Sequence, residues 1–292
     1  MAHFWTMAGL ALLLAAGGAA AVGRQPPATA MTCPAPGGWI LAGAPADADA
    51  VTARAAAADI VLIGERHDRL AHRLWAVQVL DALKAQRTEI VVGLEMLPGE
   101  AQGALDRYGA GVIDEATFLA ESRWAEVWGF DFALYRPVFD WARREKVRLV
   151  ALNVDRSVVR TISREGYAAA AGKGLVPAQK PRPPSAEYQG FLDSIFAQHG
   201  KAPDRDRTAR FTDAQQTWDR VMAERLAAAR AAHPAALVVG LMGFGHVQYG
   251  HGVAWQLAPM GAPRVMTLAP WDSDRDCADF RPDFADAVRG IG

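Results

Sequence analysis

The sequence predicts an α/β domain: a mainly parallel sheet flanked by helices, with a helical lid or subdomain. Three observations predict it. Short apolar runs of strand length recur along the chain, separated by stretches long enough for crossover helices. The runs are almost uninterrupted in their apolarity, as expected of strands buried on both faces. Several end on glycine or on a charged or amide side chain, which is where open parallel sheets place their ligands.

The chain has 292 residues, 51% of them hydrophobic, enough for a substantial core. Met7 to Val22 is an apolar run interrupted by small residues and followed by Ala- and Pro-rich sequence. It reads as a secretory signal, so residues 1–30 are assigned to a signal peptide and processed tail and the product to the periplasm or another exported location, with membrane association left open. Cys33 lacks a lipoprotein-type approach sequence. It and Cys277 are the two cysteines of the chain, and in an oxidising compartment they could pair or stay free.

Residues 23 to 50 look like a loose lead-in. Asp59 to Ile63 is the first buried run and Ile90 to Leu94 the second. Between them Leu70, Leu74, Val77 and Leu83 fall at helical spacing, giving a strand–helix–strand unit. Val147 to Leu152 is the third run, Leu237 to Met242 the fourth, and Val265 to Leu268 a fifth expected at the sheet edge. Between the third and fourth, the Pro-rich segment 177–184 and two amphipathic stretches, Gln189 to Gln198 and Phe211 to Arg230, form the expected helical insertion of about 160–235. Residues 271–292 read as a C-terminal tail.

The net charge of −1 and the scatter of Lys and Arg along the sequence give no general attraction for nucleic acid. Chemistry is expected at the strand ends. The first run leads into Gly64-Glu65-Arg66-His67-Asp68, the second ends on Glu95, the third on Asn153, and the fourth leads into Gly243-Phe244-Gly245-His246. Glu65, His67, Glu95 and His246 could bind a divalent metal, activate water or hold a ligand. Asp68 reads as the N-cap of the following helix. His72 could face the site or solvent, while His199, His233 and His251 read as surface residues. The aromatic block Trp124 to Phe132, followed by Tyr135 and Arg136, serves the core or could wall a flat apolar cofactor carrying carboxylates.

Taken in order, Val61 to Asp68 with His72, Trp128 through Pro137, Ala151 to Asn153, Ala214-Gln215 with Trp218-Asp219 and Met222-Ala223, and Gly243 to Val247 resemble the successive blocks of ChaN-like proteins. These are haem-binding uptake proteins of the Tiki superfamily. The resemblance runs from about residue 36 to 270. It implies a haem-binding protein in iron uptake, a homodimer, a haem uptake transporter as partner, and a tyrosine as iron ligand. Tyr135 has the best placement for that role, with Arg136, His67, His72 and His246 as further haem contacts. More distant relatives, the metal-dependent Tiki proteases and the erythromycin esterases, resemble the chain at the two Gly-x-x-His elements and Glu95. They imply a rival, metal-dependent hydrolase in which Glu65, His67, Glu95 and His246 are catalytic.

Overall fold

The computed structural model describes residues 33–177, 179–198, 204–261 and 264–292. The signal-like run lies outside them, as does His199. No helix among the described residues is long and apolar enough to cross a membrane.

The five apolar runs form strands β3 (Ile60–Glu65), β4 (Ile90–Pro98), β5 (Arg148–Asn153), β6 (Leu237–Gly243) and β7 (Val265–Asp272). Three more complete the sheet: β1 (Trp39–Leu41), β2 (Ala44–Ala46) and β8 (Ala287–Ile291). The order is β2-β1-β8-β7-β3-β6-β4-β5. From β8 to β5 all pairings are parallel, and β1 runs antiparallel to β2 and β8.

Helix α1 (Ala48–Ala56) leads into β3, and α2 (Leu70–Gln86) carries the chain from β3 to β4. Between β4 and β5 lie α3 (Gln102–Gly109), α4 (Glu115–Glu121), α5 (Trp124–Val127) and α6 (Arg136–Arg144). Between β5 and β6 come α7 (Arg156–Glu165), α8 (Tyr167–Gly172), α9 (Ala186–Gln198) and the long α10 (Arg205–Ala232), and α11 (Val253–Leu257) precedes β7. Alternate strand residues face opposite layers. Val61, Ile63, Val92, Leu94, Val239 and Leu241 pack with α1 to α6, while Ile60, Leu62, Val91 and Val238 pack with α10 and α11. Helices on both faces explain why the strands read as unbroken apolar runs.

The structure corrects several expectations. β7 is interior, between β3 and β8. The supposed tail contributes β8, whose Ala287 and Val288 are buried but whose short run follows a polar, Asp-rich segment that hides it in the sequence. The supposed lead-in contributes β1 and β2. Asp68 does not cap α2, because the capping position falls to Arg69, without a side-chain bond. Leu70 and Leu74 are exposed, and α2 instead buries Trp75, Ala76, Val79, Leu80 and Leu83 together with His72 and Arg73. Cys33 and Cys277 are joined in a disulfide.

Candidate functional site

Because β6 lies between β3 and β4, the carboxyl ends of three strands from distant parts of the sequence adjoin one another. Glu65 closes β3 and is buried. Its Oε1 accepts a hydrogen bond from His67 Nδ1 at 2.6 Å, and its Oε2 pairs with the guanidinium of Arg73, fully buried on α2. Arg73 also donates to the carbonyls of Arg66 and His67, fixing the turn that presents the imidazole. With its Nδ1–H committed to Glu65, His67 leaves Nε2 without a hydrogen bond among the described residues. A carboxylate on one ring nitrogen fixes the tautomer and orients the other.

On the opposite side β6 ends at Gly243 and turns into a short 3₁₀ segment, Phe244–His246. His246 donates from Nδ1 to Oδ1 of Asp219, which α10 buries completely, at 2.6 Å. Asp219 also accepts from the hydroxyl of Tyr188 at 3.0 Å. Between the two histidines stands Glu95, 3.5 Å from His246 Nε2 and held by the backbone N–H of Gly243 at 2.6 Å. Gly243 has a second use. A Cβ there would lie 2.8 Å from His67 Cε1, so glycine is needed for the imidazole to sit over the strand end.

Two carboxylate–histidine pairs thus flank one central carboxylate, and their titrations differ. For His246, burial favours the neutral ring, but the charges of Asp219 and Glu95 and the bond to Asp219 outweigh it and push the pKa up to about 9. His246 is a fixed cation at neutral pH. For His67 burial is likewise opposed by Glu65 and Glu95, with a net rise, and the positive charge of His246 holds that rise back.

Other sequence-predicted residues lie elsewhere. Tyr135, expected to ligate iron, is buried, with its hydroxyl 3.3 Å from Glu65 Oε1 and Arg73 over its ring. Burial and the Glu65 charge raise its phenol above the tyrosine range, and its hydroxyl donates to Glu65. Arg136 is exposed and paired with Glu115. His72 is fully buried, accepting from the Arg66 N–H and donating to Asp272 at 2.8 Å, and burial lowers its pKa. It braces the turn after β3. His251, read as a surface residue, is buried and stacks on Tyr188.

The expected metal set finds no support among the described residues. Among the described residues no group of three or more His, Cys, Asp or Glu side chains is disposed to hold a metal ion. The reason is visible in the bonds: Glu65 is shared by Arg73 and His67, and both nitrogens of His246 face carboxylates. Sequence reasoning missed Arg73 and quoted Asp219 only within a family block, with no role of its own. Both are charges on otherwise apolar helix faces, Asp219 beside Met222, Ala223 and Leu226, and that placement was the available signal.

The site opens into a cavity of about 200 Å³. His67, Glu95 and His246 line it with an aromatic wall of Trp128, Phe130 and Trp218. The His67 ring meets Trp128 edge-on at 4.6 Å and Phe130 at 5.2 Å.

The family described as "Haem-binding uptake, Tiki superfamily, ChaN" matches residues 51–257. Among solved structures the fold is similar to ChaN of Campylobacter jejuni, described with cofacial haem binding, at a TM-score of 0.68 and 20% identity, covering 86% of this chain and 95% of that one. More distant are the type III effector HopBA1 (TM-score 0.47, 12% identity, 90% and 98% covered) and the erythromycin esterase EreC (0.45, 14%, 77% and 72%). No curated protein sequence matches significantly.

Proposed function

The chain belongs to the ChaN family of haem-binding uptake proteins in the Tiki superfamily, and from that premise we propose that it is an exported haem-binding protein serving iron uptake. The observation that carries the reading is His67: an imidazole in an aromatic-walled cavity, anchored through Nδ1 to Glu65, with Nε2 left for a ligand. That is how proteins prepare a histidine for a metal centre. The Nε1 of Trp218 in the same wall is buried and lacks a hydrogen-bond partner among the described residues, as expected where a ligand supplies the acceptor. A porphyrin is larger than this cavity, and His67, Trp128, Phe130 and Trp218 are the residues that would meet it. His67 therefore takes the iron-ligand role first given to Tyr135. Of the five tyrosines, four are buried, and Tyr249 lies under Arg281 and does not line this cavity.

The disulfide supports the exported location, since such bonds persist in oxidising compartments. A homodimer and a transporter partner complete the proposal, and the mass of the haem-loaded protein in solution tests the first. The decisive experiment is an absorbance titration with ferric haem. Wild type should give a saturable Soret shift, His67→Ala should alter the ligated spectrum, and Tyr135→Phe should leave it unchanged. A wild-type protein that never shifts the Soret band ends this reading.

A second reading rests on the two histidines. A His246 charged at neutral pH opposite His67, with Glu95 between them, is a division of acid and base suited to hydrolysis. It predicts that the protein cleaves an activated ester and that His246→Ala and Glu95→Gln abolish the cleavage.

A further inference from the structure

Helix α9 reaches the site through the side chain of Tyr188. This residue stands in the first turn of the helix, is buried, and donates from its hydroxyl to Asp219 Oδ2 at 3.0 Å. Burial and the charge of Asp219 raise the phenol well above the tyrosine range, so the hydroxyl keeps its proton and stays a donor. The ring is fixed as firmly as the hydroxyl. It stacks on His251 at 5.1 Å and on Phe191 at 6.1 Å, and His251 also meets Tyr249 on the loop that follows His246.

Asp219 is held from every side. Its Oδ1 accepts from His246 Nδ1 at 2.6 Å, and its Oδ2 accepts from Tyr188 and, at 3.4 Å, from Nε2 of Gln216 one turn earlier on α10. Gln216 is braced in turn. Its Oε1 accepts from Gln256 Nε2 of α11 at 2.9 Å, and Gln256 exchanges two further bonds with the backbone of Arg182. At Gly252 a Cβ would lie 2.9 Å from Asp219 Oδ1 and 2.6 Å from the His246 carbonyl oxygen, and φ is +64°. Only glycine lets the loop close so tightly over the pair.

Packing α9 on α10 does not call for this network, since apolar side chains would join two helices without burying a charge. What the network adds is direction. The last torsion of an aspartate is broad, so a carboxylate bonded at one oxygen turns easily, whereas donors on its second oxygen hold it still.

We propose that Tyr188 is a positioning residue for His246: with Gln216 it pins Asp219 so that Oδ1 faces Nδ1 and the imidazole presents Nε2 to Glu95 and the cavity. The inference rests on the second reading above, in which His246 is the acid. Tyr188 is not among the residues that line the cavity, so it acts through Asp219.

The test reads the far-downfield Nδ1 proton of His246 by NMR at neutral pH, assigned by its loss in His246→Gln. Tyr188→Phe keeps the stacked ring and deletes the hydroxyl. It should move that resonance upfield, because a carboxylate released at Oδ2 turns out of line with the imidazole, while the resonance of His67 against Glu65 stays in place. In an Asp219→Asn background the same substitution should change nothing further at His246 or in turnover. Cleavage of an activated ester should fall by about tenfold or more in kcat with KM nearly constant. Tyr167→Phe deletes another buried hydroxyl, one bonded to the carbonyls of Pro177 and Gln179, and should behave as wild type in both measurements. An unchanged resonance, or one moved downfield because Tyr188 competes with His246 for Asp219, overturns the inference. So does an effect of equal size in the Asp219→Asn background. A wild type that cleaves no ester ends the second reading, and the resonance alone then decides on Tyr188. Thermal melts identify a variant that has lost its fold, and Gln216→Met, which removes the other donor to Oδ2, then replaces it.

Discussion

His246 is held between two carboxylates, and its raised pKa links the site to stability. The folded value of about 9 lies above the ordinary 6.5. Its contribution is therefore fully present below pH 6.5 and is lost as pH rises through 9, a difference on the order of 3 kcal/mol. Chemical denaturation at about pH 6 and about pH 9.5 should show the loss, and His246→Gln should flatten the difference. His67 gives a prediction of opposite sign for the ligand. A proton on Nε2 competes with iron, so haem affinity should fall as pH drops through its raised pKa, and His67→Ala should remove that dependence. Affinity that is flat with pH in the wild type would argue against ligation by His67. At this scale the sequence revealed Glu65, His67, Glu95 and His246, because strand ends mark themselves by an apolar run meeting a charge. It could not reveal that Tyr135 is turned under Glu65, since a tyrosine beside an arginine looks alike in a core and in a binding wall.

Strands buried on both faces announce themselves, and β3 to β7 were legible for that reason. β1, β2 and β8 were not, being three to five residues long and set among Pro, Gly and Asp. Helix α2 misled through Leu70 and Leu74, whose apolar side chains face out while Arg73 and His72 face in. A spacing rule weighs hydrophobicity, and here an ion pair with Glu65 and a bond to Asp272 outweighed it. A close contact between two strands offers a test. Gly93 of β4 has no room for a side chain, because a Cβ would stand 2.7 Å from Leu152 of β5. Gly93→Ala should destabilise by about 1–3 kcal/mol through overpacking, measured by urea denaturation. It should also weaken ligand binding, since Glu95 stands two residues further along the same strand. A variant as stable as wild type would show that β5 can shift without cost.

In the whole molecule the N-terminal and C-terminal segments are tied by Cys33–Cys277, 244 residues apart in sequence. Such a link removes up to about 5 kcal/mol of unfolded-state entropy in the loop-closure picture. Reduction, or Cys33→Ser with Cys277→Ser, should lower the midpoint of thermal unfolding while leaving haem binding at moderate temperature intact. An unchanged midpoint would mean that β8 and β1 hold the termini unaided. The pairing was one of two open possibilities in the sequence, because residues so far apart meet only through the return of β8 beside β1. The position of β6 has a further consequence, for the order in which a growing chain acquires its properties. Glu65, His67 and Glu95 are synthesised early, but the slot between β3 and β4 is filled by Leu237–Gly243, and His246 follows it. A nascent polypeptide short of that point lacks His246 and leaves both edges of β3 and one edge of β4 unpaired. Completion of the site therefore waits on the late strand that lies between its two older neighbours.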